Sequence, residues 1–377
     1  MAGSTWQGWQ ALSSGADPRL ITAVLEVASL PGMGLTRVRR VLAEQLDAGA
    51  DGDVAALLRA LRAPEQLPMG QDRAARRAAQ SLRALDASVA VVSQPGYPSR
   101  LAQAWPELGA PAWLFVASPD GRLPDGPAVA IVGTRQPSLD GLRTARELGR
   151  MLAAAGVCVV SGLARGIDQA THKGALEADG ASVAVLGTGF GVDYPRGTAR
   201  LRAALRAAGG LVTELLPGQP PRPHHFLERN RIVSGLCDVT VVVEGRARSG
   251  ALQTARLAAA QGREVMAVPG SLHAPTARAP LDLIRDGARP VTCLEDVLEA
   301  VAGLPSPAVA SPEPVRARPA GLDELDGQLL DLLGPEPAAV DELVHATGAP
   351  VGAVLSAVSR LTERGLVERT GRGLVAS

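Results

Sequence analysis

The chain has 377 residues, its 38 Lys and Arg residues balance its 38 Asp and Glu residues, and 46% of it is hydrophobic. This length predicts two or three domains, and no apolar run approaches the roughly 20 residues that cross a bilayer. Cys158, Cys237 and Cys293 are far apart in the sequence, which argues against a disulfide framework or a structural zinc site. We therefore expect a cytoplasmic protein that needs no metal and no cofactor.

The neutral total hides an uneven distribution of charge. Residues 128–289 carry 20 basic and 13 acidic side chains, whereas residues 322–377 carry 4 basic and 9 acidic ones. A basic centre is the electrostatic footprint of a protein that binds a polyanion, and the acidic end has the opposite character.

The first 87 residues divide into a tail and a helical module. Residues 1–17 are expected to be disordered, and residues 18–87 have apolar side chains at the three- and four-residue spacing of helices. Gly32 and Gly34 fit the turn of a helix-hairpin-helix, or SAM-like, domain, whose amides approach a DNA phosphate. Since few basic residues lie nearby, an ordinary packed helical turn is the favoured alternative.

Residues 88–297 change to short β-branched runs that alternate with Ala-rich helical stretches. Runs without polar alternation are typical of strands buried on both faces of a parallel sheet. The sequence therefore predicts an α/β fold, a Rossmann-like and mostly parallel sheet with helices on both faces. The predicted strands are Val89–Val92, Val129–Val132, Val157–Val160, Val183–Leu186, Leu211–Thr213, Val239–Val243 and Val265–Val268.

The remaining residues predict a linker and a second folded module. Residues 298–321 are rich in proline and predict a semi-rigid tether. Residues 322–377 have the pattern of three helices and a β-hairpin, which is that of a winged helix. A winged helix usually reads DNA with its third helix, but the excess of acidic side chains favours a protein-facing or self-docking role.

Four of the predicted strands end in turns rich in Gly, Ser and Thr, where a doubly wound sheet binds its ligands. Such turns present backbone amides and hydroxyls to an anion, and basic side chains accompany them. We expect one anion-binding rim, which is a better account of four such turns than glycines kept for geometry alone. The candidate residues are Gly133, Thr134, Arg135, Ser161, Gly162, Arg165, Lys173, Gly187, Thr188, Gly189, Arg196, Arg246, Arg248, Ser249 and Gly250.

The same segments resemble the DprA/Smf family of DNA-processing proteins. The resemblance is carried by Ile131–Arg135, Ser161–Asp168, Gly187–Gly189, Arg229–Leu236 and Ala267–Gly270, in this order and spacing. The helical module and the winged helix agree with the longer architecture of the family. The resemblance adds Asn230 and Arg231 to the candidate DNA-binding residues.

The resemblance implies a binding protein and not an enzyme. Members of the family bind single-stranded DNA without sequence preference, protect incoming DNA and load the recombinase RecA onto it during natural transformation. They also displace single-strand-binding protein and form homodimers through the Rossmann-like domain. Their Gly-Ser/Thr-Arg turn holds the DNA backbone, which carries over to Gly133, Thr134 and Arg135.

The chain departs from the family pattern in one segment near the rim. Ala277, Ala279 and Leu281 stand where the family usually has Ser, Gly and Asn, and Thr171 replaces an Ala. The first three changes predict that the backbone after Gly270 takes a different route.

Two other functions remain open from the sequence. Cytokinin-activating phosphoribohydrolases resemble the fold and follow a Gly-Thr turn closely with a glutamate, but here Ala255 and Arg256 follow Thr254. The chain is therefore expected to lack that enzyme's activity. A transcription factor acting through the winged helix is disfavoured by the acidic charge of that module.

Overall fold

The computed structural model describes residues 16–29, 38, 71–92, 94–104, 109–301, 322–333, 338–370 and 373–376. The predicted turn at Gly32–Gly34 and most of the predicted linker and tail lie outside the described residues. The chain divides into two compact units, residues 1–306 and 307–377. No helix among the described residues is long and apolar enough to cross a membrane.

The first unit combines short strands with helices of up to 16 residues. Its strands are β1 (Ser88–Val91), β2 (Trp113–Ala117), β3 (Ala128–Val132), β4 (Cys158–Ser161), β5 (Ser182–Val185), β6 (Gly210–Thr213), β7 (Val239–Val242), β8 (Glu264–Ala267) and β9 (Arg289–Pro290). Its helices are α1 (Pro18–Ala28), α2 (Gln71–Ala84), α3 (Ser99–Ala102), α4 (Leu139–Ala154), α5 (Ile167–Glu177), α6 (Ala199–Ala208), α7 (Pro223–Gly235), α8 (Gly250–Ala260), α9 (Arg278–Arg285) and α10 (Leu294–Ala300).

The described strands of the first unit form one sheet, in the order β1-β2-β6-β5-β4-β3-β7-β8-β9. The seven strands from β6 to β9 along this order pair in parallel, and β1 and β2 add two antiparallel pairings at one edge. The predicted α/β class, with a mostly parallel sheet, is confirmed. All four residues of β4, β5, β6 and β7 are buried, as expected for strands covered by helices on both faces.

Two strands, β2 and β9, were not predicted from the sequence. The prediction relied on β-branched runs, but β2 consists of Trp, Leu, Phe, Val and Ala. Strand β9 has only two exposed residues, Arg289 and Pro290, so it has no hydrophobic pattern to detect. Strand β2 is wholly buried and shares one hydrophobic core with α1 and α2.

Helices α4 and α5 cross with their backbones almost in contact. A Cβ atom on Gly174 would lie 1.8 Å from the carbonyl oxygen of Arg146, and one on Gly149 would lie 2.3 Å from the carbonyl oxygen of Thr171. Neither position has room for a side chain. The two helices therefore hold a fixed separation, and so do the turns that precede them.

The second unit has the elements of a winged helix. They are α11 (Glu324–Leu332), α12 (Val340–Thr347), α13 (Val351–Glu363), β10 (Val367–Thr370) and β11 (Gly373–Ala376). Strands β10 and β11 pair antiparallel, and Ala338 forms a bridge to Leu374. The sequence pattern of α13 predicts one apolar stripe made of Val351, Val354, Leu355, Val358 and Leu361. Val354, Val358 and Leu361 lie in the core, whereas Val351 and Leu355 are exposed.

Candidate nucleic-acid interface

The chain reverses its direction of winding between β3 and β7. The connections from β3 lead to β4, β5 and β6 on one side, and those from β7 lead to β8 and β9 on the other. A crevice opens outside the carboxyl ends of two strands at such a switch point, and ligands of doubly wound sheets bind there. The turn at residues 133–135 follows β3, and the loop at residues 244–249 follows β7.

The Gly-Thr-Arg turn is held tightly by its neighbours. The Thr134 amide donates to the carbonyl oxygen of Glu244 at 2.8 Å, and the Thr134 hydroxyl accepts from the Gln136 amide at 3.2 Å. A Cβ atom on Gly133 would lie 2.5 Å from the side chain of Ile167. The expectation that the Thr134 amide helps to bind a phosphate is wrong, because that amide is already used within the protein.

Arg135 points away from this locked turn and lies over an aromatic ring. Its guanidinium carbon is 5.6 Å from the centroid of Phe226, whose ring lies 5.1 Å from that of Tyr194. A Cβ atom on Gly187 would come within 2.6 Å of Phe226, so the glycine makes room for the ring. The exposed cation is thus supported by an aromatic pair on the sheet edge.

A buried arginine holds the turn between β4 and α5. Arg229 donates from Nη1 to the carbonyl oxygen of Gly162 at 2.6 Å and to that of Val185. Asp168 accepts from the amides of Gly162 and Ala164 at 3.1 and 3.2 Å. Burial lowers the pKa of Arg229 to about 10 and raises the pKa of Asp168 above its ordinary value. These two buried side chains therefore fix the backbone of the turn through hydrogen bonds.

Five arginines stand at the carboxyl edge of the sheet, and we call them the rim arginines. They follow the ends of β3, β4, β5 and β7, all are exposed, and none forms an ion pair within the described part of the chain. They are Arg135, Arg165, Arg196, Arg246 and Arg248. An exposed guanidinium that no carboxylate occupies is available to a phosphate.

The other exposed or half-buried candidates lie around the rim arginines. Lys173 is exposed on α5, six residues after Ile167, which places it about 9 Å along the helix from its start. Ser249 caps α8 through a hydrogen bond from the Leu252 amide to its hydroxyl oxygen at 3.4 Å. Gly250 is the first residue of that helix, and Asn230 donates to its carbonyl oxygen at 3.5 Å.

Several candidates are buried, and their direct contact with DNA was predicted wrongly. Ser161 is fully buried and donates to the carbonyl oxygen of Ile131 at 2.6 Å. Thr188 is buried, as are Gly187 and Gly189 beside it, and a Cβ atom on Gly189 would lie 1.9 Å from the carbonyl oxygen of Leu216. Gly162, by contrast, is half-buried and stays a candidate, although its lack of a side chain leaves room for Arg229. The glycines allow other parts of the chain to pack closely against their backbone. The hydroxyl of Ser161 links β4 to β3.

Arg231 is also a structural residue. Its side chain is 4% exposed and pairs with Glu214, whose side chain is 6% exposed. Its second terminal nitrogen donates to the carbonyl oxygen of Gly109. The prediction that Arg231 contacts DNA is wrong, because the guanidinium is buried in an ion pair.

The segment that departs from the family pattern lies next to the loop after β7. Residues Pro275–Ala277 form a short 3₁₀ helix that leads directly into α9. The amide of Ala279 donates to the carbonyl oxygen of Gly245 at 2.8 Å, and the Gly245 amide donates to Thr276 at 2.6 Å. This segment therefore braces the loop that carries two rim arginines.

Glu244 places a carboxylate in the crevice, and no sequence pattern indicated it. Glu244 accepts from the Ser138 amide at 2.9 Å and from the Ser138 hydroxyl at 2.6 Å, at the start of α4. The Ser138 hydroxyl oxygen also accepts from the Gly141 amide at 2.9 Å. Ser138 was recognisable as a helix cap, but its pairing with Glu244 depends on β3 and β7 being neighbours. No group of His, Cys, Asp and Glu side chains among the described residues is arranged to hold a metal ion.

Comparison with known proteins assigns both units to known families. The family described as DNA recombination-mediator protein A matches residues 88–302, and the DprA winged helix domain matches residues 312–371. Protein Smf of Escherichia coli is 40% identical over 257 residues, which cover 66% of this chain and 67% of that protein. The putative DNA processing protein DprA of Mycobacterium tuberculosis is 40% identical over 247 residues, covering 65% and 63% of the two chains.

A solved structure agrees with these relationships. The crystal structure of DNA processing protein A from Streptococcus pneumoniae superposes with a TM-score of 0.58 and 30% sequence identity. The match covers 80% of this chain and all of that one. The two chains therefore share a fold over most of the length of this one.

Proposed function

Because the chain belongs to the DNA recombination-mediator protein A family, which is also known as DprA or Smf, we propose that it binds single-stranded DNA without sequence preference. The observation that carries this proposal is the row of five exposed rim arginines without carboxylate partners. Guanidinium groups recognise phosphate, which every nucleotide presents whatever its base. Binding is therefore expected to depend steeply on salt and little on sequence.

The aromatic pair beside Arg135 favours a single strand over a duplex. Phe226 and Tyr194 are half-buried and lie in contact at the same edge of the sheet as the rim arginines. A single strand offers base faces that can pack on such rings, whereas a duplex keeps them stacked inside. With one aromatic pair at this edge, most of the binding free energy is expected to come from phosphate contacts.

Replacing Arg135 by Ala should weaken binding of single-stranded DNA similarly for all sequences. Loss of one phosphate contact lowers the slope of log K against log salt by about 0.7. Titrating oligonucleotides of different composition at several salt concentrations measures both quantities. Arg150→Ala is the matched control, because Arg150 is exposed near the far end of α4. If a folded Arg135→Ala protein keeps the wild-type affinity and the wild-type slope of log K against log salt, Arg135 does not contact the DNA.

We propose further that the DNA-bound protein loads RecA and protects the incoming strand during natural transformation. Family membership supports this role, and we propose that the protein acts in the cytoplasm as a homodimer that displaces single-strand-binding protein. The test is RecA filament assembly on oligonucleotides coated with single-strand-binding protein. The chain should shorten the delay before assembly, and an unchanged delay would refute the loading role.

We propose that the protein is not an enzyme acting on nucleotides. The position after Thr254 that a phosphoribohydrolase fills with a glutamate is here Ala255 and then Arg256. Incubation with nucleoside monophosphates should release no free base. If the wild-type chain releases free base and a variant with a substitution in the crevice does not, the protein is an enzyme and this proposal is wrong.

Truncation after residue 305 should leave binding of single-stranded DNA at least as strong as in the full chain. In α13, Arg360 donates to Asp326 and to Asp323 at 2.6 Å, so this cation is already engaged. The acidic second unit repels a polyanion, and the repulsion increases as salt decreases. Affinities of the two proteins should therefore differ most at low salt. A marked loss of affinity on truncation would show that the winged helix binds DNA.

A further inference from the structure

Glu244 occupies the centre of the crevice, where a doubly wound sheet ordinarily receives an anion. Its carboxylate accepts from both donors of Ser138, the residue that caps the N-terminus of α4. Backbone donors at a helix N-terminus and the helix dipole stabilise a negative group. Here the negative group belongs to the protein itself.

The surrounding backbone is shaped to receive this side chain. A Cβ atom on Gly141 would lie 2.5 Å from the carboxyl carbon of Glu244 and 2.7 Å from its Oε2 oxygen. Any side chain at residue 141 would therefore meet the carboxylate. The carbonyl oxygen of Glu244 is anchored as well, because it accepts from the Thr134 amide at 2.8 Å. Both ends of the residue are thus fixed at the switch point.

The rim arginines do not neutralise this carboxylate. Each polar contact of the Glu244 carboxylate within the described structure goes to Ser138, and no ion pair joins it to Arg135 or Arg246. The carboxylate binds the N-terminus of α4, and the rim arginines stay available at the carboxyl edge of the sheet. The crevice therefore has a filled acidic centre within a basic border.

From this arrangement we propose that Glu244 is a specificity-determining residue that fills the anion position at α4 and so excludes the phosphate of a free mononucleotide. The inference rests on the proposed binding of single-stranded DNA. A polynucleotide satisfies several rim arginines at once and does not need the central position. A mononucleotide has one phosphate group, and the position that would hold it most firmly is closed.

Removal of the Glu244 side chain should turn this position into a phosphate site. In the full-length Glu244→Ala protein, loss of the two hydrogen bonds that Ser138 donates to this carboxylate should lower the melting temperature of the larger unit by about 2–5 °C in chloride. Inorganic phosphate at equal ionic strength should restore at least half of this loss, because a ligand that binds only the folded state stabilises it. The wild-type protein should gain less in phosphate, because its α4 position is filled and only the general effect of phosphate and its binding to the rim arginines remain.

Two further variants separate occupancy from charge. Asp140→Ala removes an exposed carboxylate from the first turn of the same helix, and it should show no specific response to phosphate. Glu244→Gln keeps the position filled without its charge, so phosphate should stabilise it no more than it stabilises the wild-type protein. Its affinity for single-stranded DNA at low salt should rise about two- to threefold, since one repulsive charge is gone. Asp140→Asn should raise that affinity less.

The outcomes distinguish this inference from the proposed function. If the wild-type protein binds no single-stranded DNA, the proposed function fails. If it binds DNA but phosphate stabilises Glu244→Ala no more than Asp140→Ala, the inference alone is overturned. If Glu244→Ala does not fold, the DNA affinity of Glu244→Gln tests the inference instead. Equal gains in DNA affinity for Glu244→Gln and Asp140→Asn would then refute a special role for the central carboxylate.

Discussion

Replacing Arg231 by Met should lower the free energy of unfolding by about 3–5 kcal/mol, the cost of leaving a buried charge without its partner. The partner is Glu214, which is 6% exposed and whose backbone oxygen also accepts from the indole of Trp113 at 3.2 Å. Methionine fills much of the arginine volume, so the loss comes mainly from the carboxylate left unpaired. Denaturant unfolding followed by circular dichroism measures the change.

A surface ion pair provides the control for Arg231. Arg278→Met breaks a pair with Asp282 in which the arginine side chain is 58% exposed, and it should cost no more than about 1 kcal/mol. Adding Glu214→Leu to Arg231→Met should recover part of the lost stability, because the orphaned carboxylate is removed. An Arg231→Met protein that keeps its stability but loses DNA affinity would return Arg231 to the DNA interface.

Replacing Arg135, Arg246 and Arg248 together by Ala should weaken binding of single-stranded DNA about a hundredfold at 0.1 M salt. Each lost phosphate contact lowers the slope of log K against log salt by about 0.7, so three contacts lower it by about 2. None of the three forms an ion pair with another described residue, and Arg135 contacts Phe226 at the exposed surface, so their loss should change stability only slightly. Fluorescence anisotropy over a range of salt concentrations gives the affinity and the slope together.

The control for the triple variant carries the same change in net charge. Arg73 and Arg77 on α2 and Arg150 near the end of α4 are exposed, and none of them lies in a turn that follows a strand of the sheet. Their joint replacement by Ala should reduce affinity only through the weaker overall field, which is screened within about 10 Å at 0.1 M salt. Equal losses in the two triple variants would mean that overall charge, and not the rim, governs binding.

Much of the fold could be predicted because its signal is local. Each of the seven predicted runs of residues 88–297 coincides with a strand of the sheet, and the three helices and the hairpin predicted for residues 322–377 are present. Strand β9 could not be predicted, because it has only two exposed residues beside β8. Its existence depends on tertiary pairing, which a local pattern does not contain.

The candidate site was predictable only in outline. Arg135 and Arg231 are the same residue type, yet one is exposed beside Phe226 and the other is buried against Glu214. Which cation stays exposed depends on a carboxylate 17 positions away in sequence. Likewise the contact between Glu244 and Ser138 joins residues 106 positions apart. Strand ends show where to look for chemistry, but packing decides which side chains remain available.

The tight crossing of α4 and α5 has a thermodynamic consequence for binding. The turns that carry Arg135 and Arg165 also touch directly, since a Cβ atom on Gly166 would lie 2.5 Å from the carbonyl oxygen of Thr134. With both the helices and their preceding turns in backbone contact, the spacing of the two backbone positions that carry these guanidinium groups is set before any ligand arrives. The backbone then loses little conformational entropy on association. Most of the conformational entropy lost on binding therefore comes from the arginine side chains and from the single-stranded DNA. The DNA must adopt a phosphate spacing that matches these backbone positions.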